Sequence, residues 1–169
     1  SVYTSTGERF EKDFNPSPYP IAPGGRADFE YGEGKRQAEA VFFQKAKFPV
    51  AAARIPIVLG PDDYTGRLEF HIDRVRSGQP IVVPNLSAEI CFINSEEAAK
   101  FLLWLGESKT IGPINGCSNG RTSIGEILQI IELRLEKKAN IFADVIDANH
   151  TPFTGKDSLY NNNHLAKSL

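Results

Sequence analysis

Tyr31 and Lys35 stand four residues apart in a stretch that reads as helix, so their side chains share one face, a single turn apart. A phenol normally keeps its proton at neutral pH. A neighbouring ammonium favours the phenolate, so such a pair can exchange a proton with a substrate hydroxyl or carbonyl. Taken alone, the spacing favours an ordinary surface pair. Other reactive residue types are scattered. His71, His150 and His164 form no H-x-x-x-H, and Cys91 and Cys117 form no C-x-x-C, so no metal site is expected. Both cysteines sit in apolar, strand-like runs and read as inert buried thiols. Phe101 and Trp104 read as packing residues of a helix.

The elements that must hold this pair follow from periodicity. The first 28 residues are rich in turn formers, with Asn15-Pro-Ser-Pro-Tyr-Pro20 followed by Pro23-Gly-Gly25, and read as a long surface connection. A helix is expected from Phe29 to about Lys47, with Tyr31, Lys35, Ala38 and Phe42 on one side and Glu33, Arg36 and Glu39 towards solvent. Val50 to Val58 reads as one buried strand bounded by Pro49 and Gly60-Pro61. A helix over Gly66–Ser77 would turn Leu68, Ile72 and Val75 inward. Strands are expected at 81–83, 89–93, 113–117 and 140–146. Ser95 reads as the N-cap of a helix whose core face is Ala98, Phe101, Leu102 and Leu105. Ser123-Ile-Gly-Glu126 is a capping box opening a helix with Ile124, Ile127, Leu128, Ile131 and Leu135 at the 3.6 period. Strands alternating with helices imply an α/β architecture with a largely parallel sheet.

Composition narrows the function classes. The chain has 169 residues, 41% hydrophobic and 24% charged, enough for a core without disulfides. A net charge of −2 lacks the basic footprint of a dedicated nucleic-acid binder, so nucleic acid is not an expected partner. No apolar run approaches the roughly 20 residues that span a bilayer, so no membrane partner is expected. There is no methionine and the first residue is Ser1, which suggests part of something larger.

In order along the chain, these features resemble the extended short-chain dehydrogenase/reductases, the NAD-dependent epimerase/dehydratase family. The resemblance rests on Tyr31-x-x-x-Lys35 opening a helix after a Pro-rich loop, then on Arg54-Ile-Pro-Ile-Val-Leu-Gly-Pro61, which is similar to an R-P-x-N-x-Y-G-P strand end. Glu89 to Ala99 resembles the family's R-D-F-V-x-V-x-D-x-A segment, and Asn163 to Leu169 its K-A-x-x-L-G ending. The resemblance implies that Tyr31 is the acid/base. It implies that Lys35 contacts the nicotinamide ribose and lowers the tyrosine pKa, and that the backbone at Pro56 and Ile57 approaches the nicotinamide. The family's catalytic Ser/Thr would fall just before Ser1, which then reads as an ordinary strand-end serine.

Several positions depart from the family pattern. Ile57 stands for its Asn, Leu59 for its Tyr, Ala88-Glu89 for its Arg-Asp and Ser95 for its later Asp. Ser1 occupies the position of the 4,6-dehydratase branch's Glu, which argues against 4,6-dehydration. No Gly-rich dinucleotide fingerprint occurs. Gly60 to Gly66 reads as a turn, and Arg67, Arg74, Arg76 and Arg121 as solvated positions that can still meet phosphate.

The expectation is therefore the C-terminal half of a Rossmann-type doubly wound parallel sheet plus a smaller mixed α/β substrate-binding region. Residues 1–60 with 95–117 would form the second half of the nucleotide-binding core, and 61–94 with 118–169 the substrate region. On this expectation the full-length protein is a cytoplasmic oxidoreductase using NAD or NADP. Its substrate is a small molecule, a sugar or nucleotide-sugar, and it is a homodimer through the helix of Tyr31. This stretch alone is expected to be inactive. The alternative is a non-catalytic relative serving as a nucleotide-sensing or RNA-binding module; a plain α/β domain with a coincidental Tyr/Lys pair is the third reading.

Overall fold

Parallel strand pairing organises the molecule. The computed structural model describes residues 1–143, 149–153 and 156–169. Strand β1 (Gly7–Arg9) precedes two 3-10 turns, at Glu11–Asp13 and Arg26–Asp28, and helix α1 (Tyr31–Lys45). Then come β2 (Ala51–Arg54), β3 (Ile57–Leu59), α2 (Arg67–Ser77), β4 (Pro80–Val82), β5 (Glu89–Ile90), β6 (Phe92–Asn94) and α3 (Ser95–Glu107). The chain continues with β7 (Gly112–Asn115), β8 (Thr122–Ser123), α4 (Ile124–Leu135), β9 (Asn140–Phe142), β10 (Leu159–Asn161) and α5 (His164–Ser168). The ladders are β1-β10-β5-β8, β2-β7, β3-β6 and β4-β9, all parallel except β5 with β8. The expected α/β architecture with a largely parallel sheet is what forms.

Two expected strands are each split in two. The run from Val50 to Val58 breaks at Ile55-Pro56, because Pro56 has no N–H to give a ladder. β2 then pairs with β7 and β3 with β6. The run from Glu89 to Ile93 breaks at Cys91, where the chain passes from the partner of β10 to the partner of β3. The strand expected over 140–146 is found at Asn140–Phe142, and its continuation at 144–146 lies outside the described residues.

The helices show why local signals succeed or fail. α4 opens on the expected capping box: the Glu126 N–H donates to Ser123 Oγ at 3.1 Å and the Ser123 N–H to Glu126 Oε2 at 2.8 Å. Ile124, Ile127, Leu128 and Ile131 are buried, with Leu135 packed against them. In α3 the N-cap is Asn94, not Ser95; its Oδ1 accepts from the Glu96 N–H at 2.9 Å. Ser95 instead closes on Gly60, where a Cβ would come within 2.8 Å of the Ser95 Cβ. Ala98 and Leu105 are buried as expected, but Leu102 is exposed.

The main core joins α2, α4 and the strands between them through Val75, Ile81, Ile90 and Leu128. A polar pair, His71 and Thr151, is buried beside it. His71 is fully buried, stacked on Phe153 with centroids 4.6 Å apart. Its Nδ1 lies 2.8 Å from the Arg67 carbonyl, which can only accept, so Nδ1 carries the proton. Nε2, 2.9 Å from Thr151 Oγ1, is then the acceptor of that hydroxyl. Burial lowers the His71 pKa, with nearby Arg74 acting in the same direction.

As pH falls, the unfolded chain therefore binds the proton before the folded one. Stability tied to neutral His71 is complete above the unfolded value of about 6.5 and declines as pH drops towards the lower folded value. Thermal melts between about pH 7 and pH 5 should show this decline, and His71→Gln should flatten it. An unchanged slope in the variant would remove His71 as its source.

Candidate active site

Helix α1 carries the Tyr/Lys pair, and its sequence is a poor helix by itself. Gly32 and Gly34 each cost about 1 kcal/mol relative to alanine, so outside contacts must hold it. They come from the Pro-rich segment. Glu33 accepts from the Tyr19 hydroxyl at 2.8 Å, from Arg36 at 2.8 Å and from Gln37 at 2.7 Å. Hydrogen bonds from Gln37, Tyr19 and Arg36 hold the Glu33 carboxyl below the usual carboxylate range. Gln37 also donates to the Pro20 carbonyl and accepts from the Ala22 N–H, each at 3.0 Å. Gln44 donates to the carbonyls of Pro16 and Tyr19.

The expected solvent face of this helix is thus its inner face. Glu33, Arg36 and Glu39 are half-buried and Gln37 and Ala40 buried, while Tyr31, Lys35, Ala38 and Phe42 are exposed. The polar residues win the interior because a Pro-rich segment offers carbonyls with few N–H donors, and only donor side chains can satisfy them. The first 28 residues are correspondingly no loose connection. They contribute β1 and a small core of Val2, Tyr3 and Phe14, with Tyr19 packed against it.

Arg54, the last residue of β2, ties this segment to both helix and sheet. Its guanidinium pairs with Glu39 at 2.7 Å, the two side chains being 3% and 13% exposed. It also donates to the carbonyls of Glu11 and Phe14, both at 2.9 Å, and to the Tyr3 hydroxyl at 3.2 Å. Burial pushes the Tyr3 phenol up, so it stays protonated and donates to Asn115 Oδ1 at 2.5 Å. Asn115, fully buried in β7, binds the Glu11 side chain through its N–H, and the carbonyls of Arg9 and Asn162 through its amide.

Beside this scaffold lies an open cleft of about 900 Å³. Tyr31, Lys35, Pro56 and Ile57 all line it, so the four residues singled out by sequence meet at one site. Lys35 Nζ lies 5.3 Å from the centre of the Tyr31 ring, cation–π range, and the ring is 61% exposed. Ser1 lines the same cleft, its backbone oxygen near Gly32.

Sequence reasoning missed Arg9, Cys91 and Asn161, which also face the cleft. Arg9 and Asn161 arrive through the pairing of β1 with β10, 152 residues apart in register, which no local pattern announces. Arg67 lines the cleft too, whereas Arg74 donates to the Pro80 carbonyl and Asn149, Arg76 pairs with Asp73 and Arg121 with Glu89. The segment after β3 forms the expected turn, closed by Asp63 N–H to Gly60 and Gly66 N–H to Asp63. No cluster of three His, Cys, Asp or Glu able to hold a metal occurs among the described residues, and no described helix is long and apolar enough to cross a membrane.

No protein-family model and no curated protein matches the sequence. Solved structures do match the fold. A UDP-glucuronic acid 4-epimerase from Bacillus cereus, in complex with NAD, superposes with a TM-score of 0.71 at 17% identity over 99% of this chain and 51% of its own. MoeE5, in complex with UDP-glucose and NAD, gives 0.69 at 17% identity over 100% and 55%. The Bordetella bronchiseptica enzyme WbmG, in complex with NAD and UDP, gives 0.63 at 19% over 82% and 42%. The chain has the fold of the C-terminal portion of these proteins and spans about half their length.

The Arg54 centre yields a stability test. Glu39→Ala strands a buried guanidinium and should cost about 3 kcal/mol in urea unfolding. Adding Arg54→Met removes the stranded charge and should recover part of that loss. A Glu39→Ala cost below about 1 kcal/mol would mean that the carbonyls alone satisfy Arg54.

Proposed function

We propose that this chain supplies the proton-transfer wall of an NAD(P)-dependent sugar epimerase or related oxidoreductase. The observation that carries the reading is the convergence of Tyr31, Lys35, Pro56 and Ile57 on one open cleft. Structures of the same fold, bound to NAD and to UDP-glucose or UDP, support it. The cleft volume suits the nicotinamide end of a dinucleotide plus a sugar. Tyr31, Lys35 and the backbone of Pro56 and Ile57 would hold that end; the sequence offers no Gly-rich loop for the pyrophosphate. When bound, the nicotinamide supplies a hydride acceptor or donor.

The side chains then handle the proton. Tyr31, on the first residue of a helix fixed from behind by Glu33, presents its oxygen to the cleft, where it takes the proton of a substrate hydroxyl or returns it to a carbonyl. Lys35 keeps its ammonium by the ring, where it attracts negative charge building on that oxygen. Arg9 and Arg67 give the cleft positive charge suited to the diphosphate of a nucleotide-sugar. In this reading residues 1–60 with 95–117 complete the nucleotide side, and 61–94 with 118–169 the substrate side. Two copies would pair through the part of α1 outside the cleft, where Val41 is exposed.

The test is titration of the full-length protein with NAD(H) and NADP(H), followed by turnover on UDP-sugars. Wild type should bind one nucleotide. Tyr31→Phe should keep that binding and lose about 10²- to 10⁴-fold in turnover, the usual contribution of a general acid/base. Failure to bind either nucleotide sinks the proposal. Turnover that survives Tyr31→Phe removes Tyr31 from the role.

A further inference from the structure

Cys91 and Cys117 are 26 positions apart and belong to different strand connections, yet they meet. Cys91 lies where the chain leaves β5 for β6, and Cys117 follows β7 by two residues. The Ser118 N–H donates to the Phe92 carbonyl at 2.9 Å, which clamps the two backbones side by side next to the thiols. Both sulfurs close on one residue of β10. The Asn161 N–H donates to Cys91 Sγ at 3.1 Å, and Cys117 Sγ donates to the Asn161 carbonyl at 3.2 Å. Both are free thiols, Cys91 buried and Cys117 half-buried. Cys91 nevertheless forms part of the cleft wall, with 3% of its surface exposed there.

We propose that Cys91 and Cys117 form a redox pair in which Cys91 attacks small hydroperoxides entering the cleft and Cys117 closes the disulfide. The order of roles follows from the surroundings. A thiolate is the reactive form, and it survives where donors and positive charge surround it. Cys91 Sγ accepts from the Asn161 N–H, and Arg9 lines the same cleft wall; both favour its thiolate against the effect of burial. Cys117 Sγ spends its proton on the Asn161 carbonyl, and burial also opposes its thiolate. Cys117 is therefore the protonated partner and Cys91 the nucleophile.

The chemistry balances with hydrogen peroxide as the two-electron oxidant. The Cys91 thiolate attacks one peroxide oxygen and the O–O bond breaks, giving a Cys91 sulfenic acid and hydroxide. The Cys117 sulfur then displaces the sulfenic hydroxyl. The S–S bond forms as the S–O bond breaks, and the hydroxyl leaves as water with the Cys117 proton. Two thiols and one peroxide become one disulfide and two waters. The backbone clamp at Phe92 and Ser118 holds the two connections side by side as the bond closes.

The experiment is peptide mapping by mass spectrometry of the full-length protein after treatment with hydrogen peroxide. Trypsin places the two cysteines on separate peptides, 77–100 and 110–121. The expected result is a cross-linked pair 2 Da lighter than the sum of the two reduced peptides, restored to the free peptides by dithiothreitol. Cys117→Ser should instead accumulate a dimedone adduct at residue 91, and Cys91→Ser should show at least a tenfold slower oxidation of residue 117. Wild-type protein that yields no cross-link, or yields only sulfinic acid at Cys91, overturns the proposal. A dimedone adduct at Cys117 in Cys91→Ser, formed as fast as at Cys91 in Cys117→Ser, overturns the assignment of roles. Because thiol chemistry is read directly, the outcome is independent of whether Tyr31 and Lys35 act on a nucleotide-bound substrate.

Discussion

The arrangement depends on one buried charge. Arg54 sits at the end of β2 with a side chain 3% exposed, and a guanidinium so placed must have its donors met. Its partners come from three parts of the chain: Glu39 from α1, the Tyr3 hydroxyl from the first residues, and the carbonyls of Glu11 and Phe14 from the segment after β1. An apolar residue could pack that space at similar stability, since desolvating an ion pair offsets much of its attraction. What an apolar residue could not do is fix direction. The planar fork accepts one arrangement of strand, helix and carbonyls, and so sets where α1 lies against the sheet.

From that constraint follows the unusual division of α1. Its inner face is polar because it meets a Pro-rich segment whose carbonyls lack partners of their own. Gln37, Gln44 and Arg36 answer them, and Glu33 gathers Tyr19, Arg36 and Gln37 around one carboxylate. With the other polar residues occupied, Tyr31, Lys35, Ala38, Phe42 and Phe43 line the cleft together with Glu39, which is paired to Arg54. Amphipathicity normally turns such a stripe inward. Here the hydrogen-bond demand of the neighbouring segment outweighs it.

The same contest explains what was legible in the sequence. Elements defined by local signals were readable: the capping box at Ser123 and Glu126, the apolar period of α4, the turn from Gly60 to Gly66, and the alternation that makes the fold α/β. The Tyr31/Lys35 spacing was readable as well, since both residues lie on one helix. Illegible were features set by distant partners. β1 exists because Leu159–Asn161 lies beside it, and its three residues carry no strand signal of their own. Cys91 marks a change of sheet only once β3 and β10 are in place, and Asn94 takes the cap from Ser95 because Ser95 is committed to Gly60. Arg9 and Asn161 reach the cleft by that non-local pairing, so no spacing rule could have nominated them.

Tyr31, at the very start of a helix, combines rigidity at the backbone with freedom at the ring. Two residues after Tyr31, Glu33 accepts three side-chain hydrogen bonds; two residues before it, Phe29 lies against Gly34, near enough that a Cβ there would touch its own. The Cα of Tyr31 is therefore held on both sides, while its ring stands in the cleft with Lys35 as its charged neighbour. A functional group placed this way keeps its position when a ligand arrives and needs no ordering of a loop to reach it, which is where a preorganised site saves conformational entropy. Arg9 and Cys91, which also line the cleft, are anchored by strand pairing at β1 and at the junction of β5 and β6, and Arg67 opens α2. The site is thus built from ends of regular elements, each fixed by contacts on the side away from the cleft.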